Sequence, residues 1–269
     1  MRKLLLLSVG LCLLIAGGCV KGDREKSDSV KVSPVAKVDS VKKFPLTPDQ
    51  VLFDIEGDIA YIVCERFDGD SRSASERDSV SFSPEGSLIG MVKWSGSGRD
   101  KYEIYNIRLK YNADGEFEQG EDAANKLPVL IERNDSLQIV KLGRVDKEDS
   151  PENMGFTWQY DWKGLLPVRK MENYQEYEAV RRYKYEGDSR SPVSMTCKMT
   201  DMEGVVQDEC SVEYVEYDDR GNWTKRRVTV KSSDYGYDVE SGKVVKEGAK
   251  KVSRYTECRR IGYRERIRE

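Results

Sequence analysis

The sequence predicts an all-β fold: an antiparallel, hairpin-rich meander of roughly ten to fourteen strands, curved or barrel-like, with little helix. Three observations lead there. Apolar residues alternate with polar ones over many short runs, the period-two pattern of half-buried strands. A turn signal recurs along the chain, with Asp, Asn or Ser followed three residues later by Gly. Tyrosine is abundant, at 15 residues, in a lean composition of 38% apolar and 35% charged residues, which suits pleated, half-buried surfaces better than helices.

In chain order, Met1 to Gly18 reads as a processing segment. Met1-Arg2-Lys3 is a short basic region, Leu4 to Ile15 is an almost unbroken apolar run, and Ala16-Gly17-Gly18 are small. The run falls short of the ~20 residues that a spanning helix needs, so it reads as a signal peptide. Cys19 follows the small residues directly. This arrangement resembles the lipobox of bacterial lipoproteins, whose common form is Leu-Ala-Gly-Cys; here Ala16 stands three residues before the cysteine, in the Leu position, with Ile15 before it. The resemblance implies cleavage before Cys19, a thioether-linked diacylglycerol on its sulfur and acylation of the new amino terminus. Each buried methylene contributes ~0.8 kcal/mol, so two or three chains would hold the protein firmly to its membrane. Val20 rather than Asp after the cysteine resembles the sorting pattern for the outer membrane in Gram-negative bacteria.

Residues 19–43 are rich in Lys, Asp, Ser and Val and lack aromatic residues. Such a segment buries too little surface to offset its ordering entropy, and reads as a flexible tether. Phe44-Pro45-Leu46 opens the folded part, so that residues 44–269 form one domain. The segment Lys147 to Gly155 is its likeliest internal break.

Within that domain the turns are expected at Asp54–Gly57, Ser83–Gly86, Asn112–Gly115, Asp161–Gly164, Asp201–Gly204 and Asp218–Gly221, with Ser241-Gly242 as a looser seventh. An acceptor side chain at the first position and glycine at the fourth are the chemistry of a type I turn closed by a left-handed residue. Between turns, Tyr105, Ile107, Leu109 and Tyr111 share one strand face, as do Phe156, Trp158 and Tyr160, then Val193, Met195, Cys197 and Met199, and Val212 with Tyr214. Ile59 to Cys64 is apolar throughout and is expected to be covered on both faces. Glu172 to Tyr185 fits a strand better than a helix.

The stretch Glu213 to Arg226, EYVEYDDRGNWTKR, contains Tyr-Asp-x-x-Gly-Asn and resembles the YD repeat of Rhs-type proteins, a motif also recurrent in uncharacterised envelope lipoproteins. The resemblance implies β-hairpins. The glycine spacing is irregular, so hairpins within one sheet are expected rather than a repeat shell.

Chemistry is mostly excluded. Histidine is absent, which removes Ser-His-Asp and Cys-His catalysis and His-ligated metals. No nucleotide-binding or esterase motif appears, and no metal or cofactor is expected. The 45 basic and 48 acidic residues leave a net charge of -3, so nucleic acid is a poor partner. Cys64, Cys197, Cys210 and Cys258 are expected as buried free thiols, with a Cys64–Cys258 bridge open. If Thr200 faces Val205, Cys197 opposes Asp208; if a bulge shifts the pairing, it opposes Glu209. Trp162 and Trp223, at or beside turns, are the candidate binding surface for an envelope protein or a glycan. The leading expectation is a non-enzymatic, lipid-anchored envelope protein with a binding or scaffolding role. Its rivals are a glycan-processing enzyme with paired carboxylates and a lipid- or lipoprotein-handling module with an apolar cavity.

Overall fold

The structure, a computed structural model, describes residues 46–145, 156–174, 177–202, 204–238 and 243–264. The signal peptide, Cys19 and tether, the Lys147–Gly155 segment and the Ser241-Gly242 turn lie outside the described residues. A short helix α1 (Pro48–Leu52) precedes fourteen strands. The first seven are β1 (Ile59–Asp68), β2 (Glu76–Phe82), β3 (Leu88–Ser95), β4 (Tyr102–Tyr111), β5 (Phe117–Asp122), β6 (Leu127–Arg133) and β7 (Ile139–Arg144). The others are β8 (Phe156–Lys163), β9 (Leu166–Tyr174), β10 (Tyr177–Lys184), β11 (Ser194–Asp201), β12 (Gly204–Tyr217), β13 (Trp223–Asp238) and β14 (Lys243–Tyr263). Each pairs antiparallel with its sequence neighbours, and β1 pairs with β14 to close a barrel. The fold is thus all-β, and the meander is closed rather than open.

The turn signal places the hairpins correctly where it works through backbone hydrogen bonding. The turns after β2, β4 and β12 share one pattern. The fourth residue donates its N–H to the carbonyl of the first, at 2.9 Å for Gly86 to Ser83, 3.0 Å for Gly115 to Asn112 and 3.2 Å for Gly221 to Asp218. The three glycines have φ of 85°, 80° and 84°, in the left-handed region that a Cβ disfavours. A fourth turn of the same pattern, Asn134 to Gln138 after β6, escapes the signal because Leu137 stands in the glycine position, with φ of 60°.

Three expected turns are different. Gly57 follows α1 rather than closing a hairpin. Asp161 and Trp162 are still strand: the tight turn is Gly164-Leu165, with Lys163 facing Leu166 and Trp162 facing Pro167. Asp201 and Gly204 do bracket the β11–β12 connection, and the Asp201 side chain accepts from the Gly204 N–H at 2.9 Å. Gly204 nevertheless opens β12 without a left-handed φ and is there for close approach, since a Cβ would meet the Tyr235 carbonyl oxygen at 2.3 Å.

The register fixes which side chains turn inward. Thr200 faces Val205 and Cys197 faces Asp208, the first of the two pairings considered. Burial alternates along β4, where Tyr105, Ile107 and Leu109 are buried. Phe156 and Trp158 on β8 likewise turn inward. In β1, Ile59, Ile62 and Val63 are buried but Tyr61 is 49% exposed, so this strand is not covered on both faces. The apolar core is contributed mainly by β1–β4 and β6–β8. Strands that are not neighbours meet within it: the Tyr105 ring of β4 lies 5.7 Å from Phe156 and 5.4 Å from Trp158 of β8.

The helix was the element least expected, yet its signal is local. Thr47 caps it by accepting from the Gln50 N–H, the Gln50 side chain reaches back to Thr47, and Pro48 takes the first turn. Its Asp49 is buried and accepts from the Leu88 N–H at 2.7 Å and from both terminal nitrogens of Arg133 at 2.6 and 2.8 Å. α1 is therefore bolted to β3 and β6 at one end of the barrel.

Gly221→Val is expected to destabilise the fold by about 1–3 kcal/mol, because a β-branched residue is strained at this φ. An unchanged urea midpoint would contradict the turn geometry.

Candidate functional surfaces and the barrel interior

Where the apolar core ends, the interior becomes a band of paired charges and tyrosines. Glu172 on β9 sits between Lys170, at 2.6 Å, and Arg181 of β10. Burial alone would raise its carboxyl, but these two cations outweigh it and hold Glu172 well below the ordinary carboxylate range. Arg226 of β13 pairs with Glu257 of β14. Lys93 of β3 pairs with Glu76 of β2 at 3.1 Å, and Arg66 of β1 stacks on the Tyr255 ring at 4.0 Å. Asp78 is pushed up by burial, against the pull of Lys93. Each charge is thus answered by an opposite one or an aromatic face, the condition for keeping charges out of water.

The cysteines belong to this interior or to the wall. Cys64 faces inward and burial, then Glu257, push its thiol up to about 12, which keeps it protonated and unreactive. All four described cysteines are free. Glu65 faces Cys258 in the β1–β14 register. Cys64 and Cys258 therefore lie on opposite faces of the wall, and the bridge left open for them is ruled out.

Trp223 is not a surface residue. It is 1% exposed, and its ring lies between the guanidinium groups of Arg259, at 3.5 Å, and Arg226, at 4.3 Å. Its indole N–H donates to the Asp54 carboxylate at 2.7 Å. Arg259 also donates to the carbonyls of Asp54 and Phe53 at 3.0 and 2.8 Å. Asn222 exchanges two hydrogen bonds with the Glu56 backbone, at 2.7 and 2.8 Å. The Gly-Asn-Trp portion of the YD-like stretch thus clamps the segment after α1 onto the barrel, and the binding role expected for Trp223 is withdrawn. Trp162 is half-buried, and its indole N–H donates to the Ile139 carbonyl at 2.9 Å. It leans on the neighbouring hairpin and keeps part of its ring in solvent.

The outward face of the wall carries many charges, interrupted by exposed Tyr61, Ile89, Leu130 and Val252. Arg108 and Lys110 on β4, Glu178 and Arg182 on β10, Gln207 and Glu209 on β12, and Arg227 and Lys231 on β13 are all exposed. Ion pairs cross it between strands: Lys141–Glu132 at 3.0 Å, Arg169–Asp161 at 3.1 Å, Lys225–Glu216 at 2.9 Å and Lys250–Glu209 at 2.8 Å. A barrel that crosses a bilayer shows the reverse, an apolar exterior around a polar lumen, and each Lys or Arg on its lipid face near the midplane costs ~2–4 kcal/mol. The exposed charges on β4, β10, β12 and β13 depart from that pattern.

The two ends differ. The end opposite α1 carries the longest hairpin, in which β14 runs past β1 while β13 stays paired with β12 as far as Gly236. There Tyr237, Val244 and Val245 are 46%, 48% and 43% exposed, and Met202, after β11, is 92% exposed. A rim cleft of ≈ 250 Å³ at the same end is lined by Glu65, Glu76, Arg77 and Lys101 among others; its balanced charges select no ligand sign.

No protein-family model and no curated protein matches the chain. Among solved structures, it is similar to a porin-like protein from Bacteroides uniformis ATCC 8492, with 10% identity and a TM-score of 0.41 over 76% of this chain and 96% of that one.

Glu172→Gln is expected to cost about 3 kcal/mol near neutral pH, since it leaves Lys170 and Arg181 without their counter-charge. Because the folded-state carboxyl is held low, its contribution is complete above about pH 4.5 and fades as the pH falls below that value. Urea midpoints of wild type and variant should therefore converge toward pH 2. A constant gap across the acid range would contradict the assignment.

Proposed function

We propose that this chain is a lipid-anchored cell-envelope protein whose barrel stands in water beside its membrane and serves, without catalysis, as a binding or scaffolding body. The observation that carries this reading is the polarity of the barrel, with charged outward strands and an interior crossed by ion-paired side chains. Charged outward strands make a poor lipid-facing band, so its hold on a membrane falls to the N-terminal segment. The lipobox-like Ala16-Gly17-Gly18-Cys19 supplies that hold, and Val20 favours the outer membrane. The band of ion-paired charges in the interior argues against a lipid-carrying cavity. The ion-paired interior carboxylates argue against a buried acid/base pair of a glycosidase, which needs two carboxyls facing a substrate groove. The β13–β14 hairpin, with Tyr237, Val244 and Val245 in solvent, is the surface best suited to meet an envelope protein or glycan.

Two outcomes test this. Cys19→Ser should abolish labelling of the protein by a palmitate probe; persistent labelling would remove Cys19 as the anchor. Replacing residues 1–19 with an ordinary cleavable secretory signal should release a water-soluble, folded barrel. Recovery of that chain as an integral membrane protein would overturn the water-facing assignment of the wall.

A further inference from the structure

Four hairpin turns at the α1 end share one hydrogen-bond pattern, and three of them put glycine at the left-handed position. The fourth puts Leu137 there, with φ of 60°. Leucine is strained in this region, where glycine is not. The side chain recovers nothing from folding, because Leu137 is 67% exposed. Leu165, at the tip of the next-but-one hairpin, is 59% exposed. The two tips are joined: the Gln138 side chain donates to the Gly164 carbonyl at 2.6 Å, and the Trp162 indole donates to the Ile139 carbonyl at 2.9 Å. The tips after β2, β4 and β12 carry Pro84-Glu85, Ala113-Asp114 and Asp219-Arg220 instead. Leu137 and Leu165 thus form one joined apolar pair at this end, where Tyr217 before the β12–β13 turn is also 55% exposed, and Leu137 holds a left-handed position that the sister turns fill with glycine.

Its position names the occupant. Arg133 donates to the Leu137 carbonyl at 2.7 Å and also grips Asp49 of α1. The leucine tip is therefore fixed to the place where the chain from residues 1–45 joins the barrel. On the anchored reading proposed above, on which this inference rests, a tether of about 25 residues spans on the order of 30 Å. That brings this end of the barrel, where the chain enters it, within reach of the membrane surface.

We infer that Leu137 and Leu165 form a membrane-seating tip that inserts into the headgroup–acyl boundary of the membrane holding the N-terminus. Lys163 and Asp135 stand beside the pair with opposite charges, so the seating rests on apolar burial rather than on headgroup charge. Trp162, between the two hairpins, is its built-in reporter.

The test uses the mature protein extracted from membranes and reconstituted in phosphatidylethanolamine–phosphatidylglycerol vesicles carrying brominated acyl chains. Wild-type tryptophan emission should be quenched, and Trp162→Phe should remove most of that quenching. Leu137→Gly combined with Leu165→Ser should abolish it. Leu137→Gly alone should weaken quenching while raising the melting temperature by about 2–4 °C, since it relieves the turn. Opposite signs for stability and seating are the signature of a residue kept for an external contact. No quenching in the wild type, or quenching indifferent to both leucines, would overturn the inference. So would leucine-dependent self-association without lipid, which would make the tip an interface between copies of this chain. Mass spectrometry of the same preparation separates the two readings. An acylated protein without quenching sinks the seating and leaves the anchor; a leucine-dependent quench in an unacylated protein upholds the seating and sinks the anchor.

Discussion

The hydrogen-bonded seam between β1 and β14 is the constraint on which the rest depends. Nine residue pairs, from Ile59–Tyr263 to Asp68–Tyr255, join the two ends of the meander. Closure removes the open edges that a fourteen-strand sheet would otherwise present for aggregation. It also brings the segment after α1 against the β12–β13 turn, where Trp223 is held between Arg226 and Arg259. The residues most distant in sequence thus share the most heavily partnered site of the barrel.

Closing fourteen strands creates a second demand, because a ring of that size encloses more space than side chains ordinarily fill. Here strands that are not neighbours come into contact. Apolar and aromatic residues of β1–β4 and β6–β8 occupy one region. Long charged side chains of β9, β10, β13 and β14 occupy another. Lys, Arg and Glu bring both volume and charge, and the pairing of Glu172 with Lys170 and Arg181 shows how the charge is tolerated. The outer wall is under no such demand and carries unburied charges on β4, β10, β12 and β13.

The contrast between the left-handed turn residues bears on function more directly than any pocket. Glycine at three positions is what chain geometry asks for. Leucine at the fourth departs from it and leaves a large apolar side chain in water, fixed by Arg133 to the same end as α1. A protein that tolerates both costs at one residue points to a contact outside itself.

The sequence by itself determined the all-β class, the strand faces and most of the hairpins. Period-two alternation and Asx-to-glycine turns are local signals, read within a few residues. The capping box Thr47-Pro48-Asp49-Gln50 was equally local and legible, though five helical residues are easily passed over in a strand-rich chain. What tertiary structure alone decided is long-range. Whether the meander closes depends on β1 meeting β14, some two hundred residues apart, and no local pattern encodes that pairing. Trp223 beside a turn reads as exposed until Asp54 and Arg259 arrive from distant segments to bury it. Leu137 reads as an ordinary apolar residue until its φ and exposure are known. Local chemistry sets which face a side chain takes; only closure of the barrel determines what that face meets.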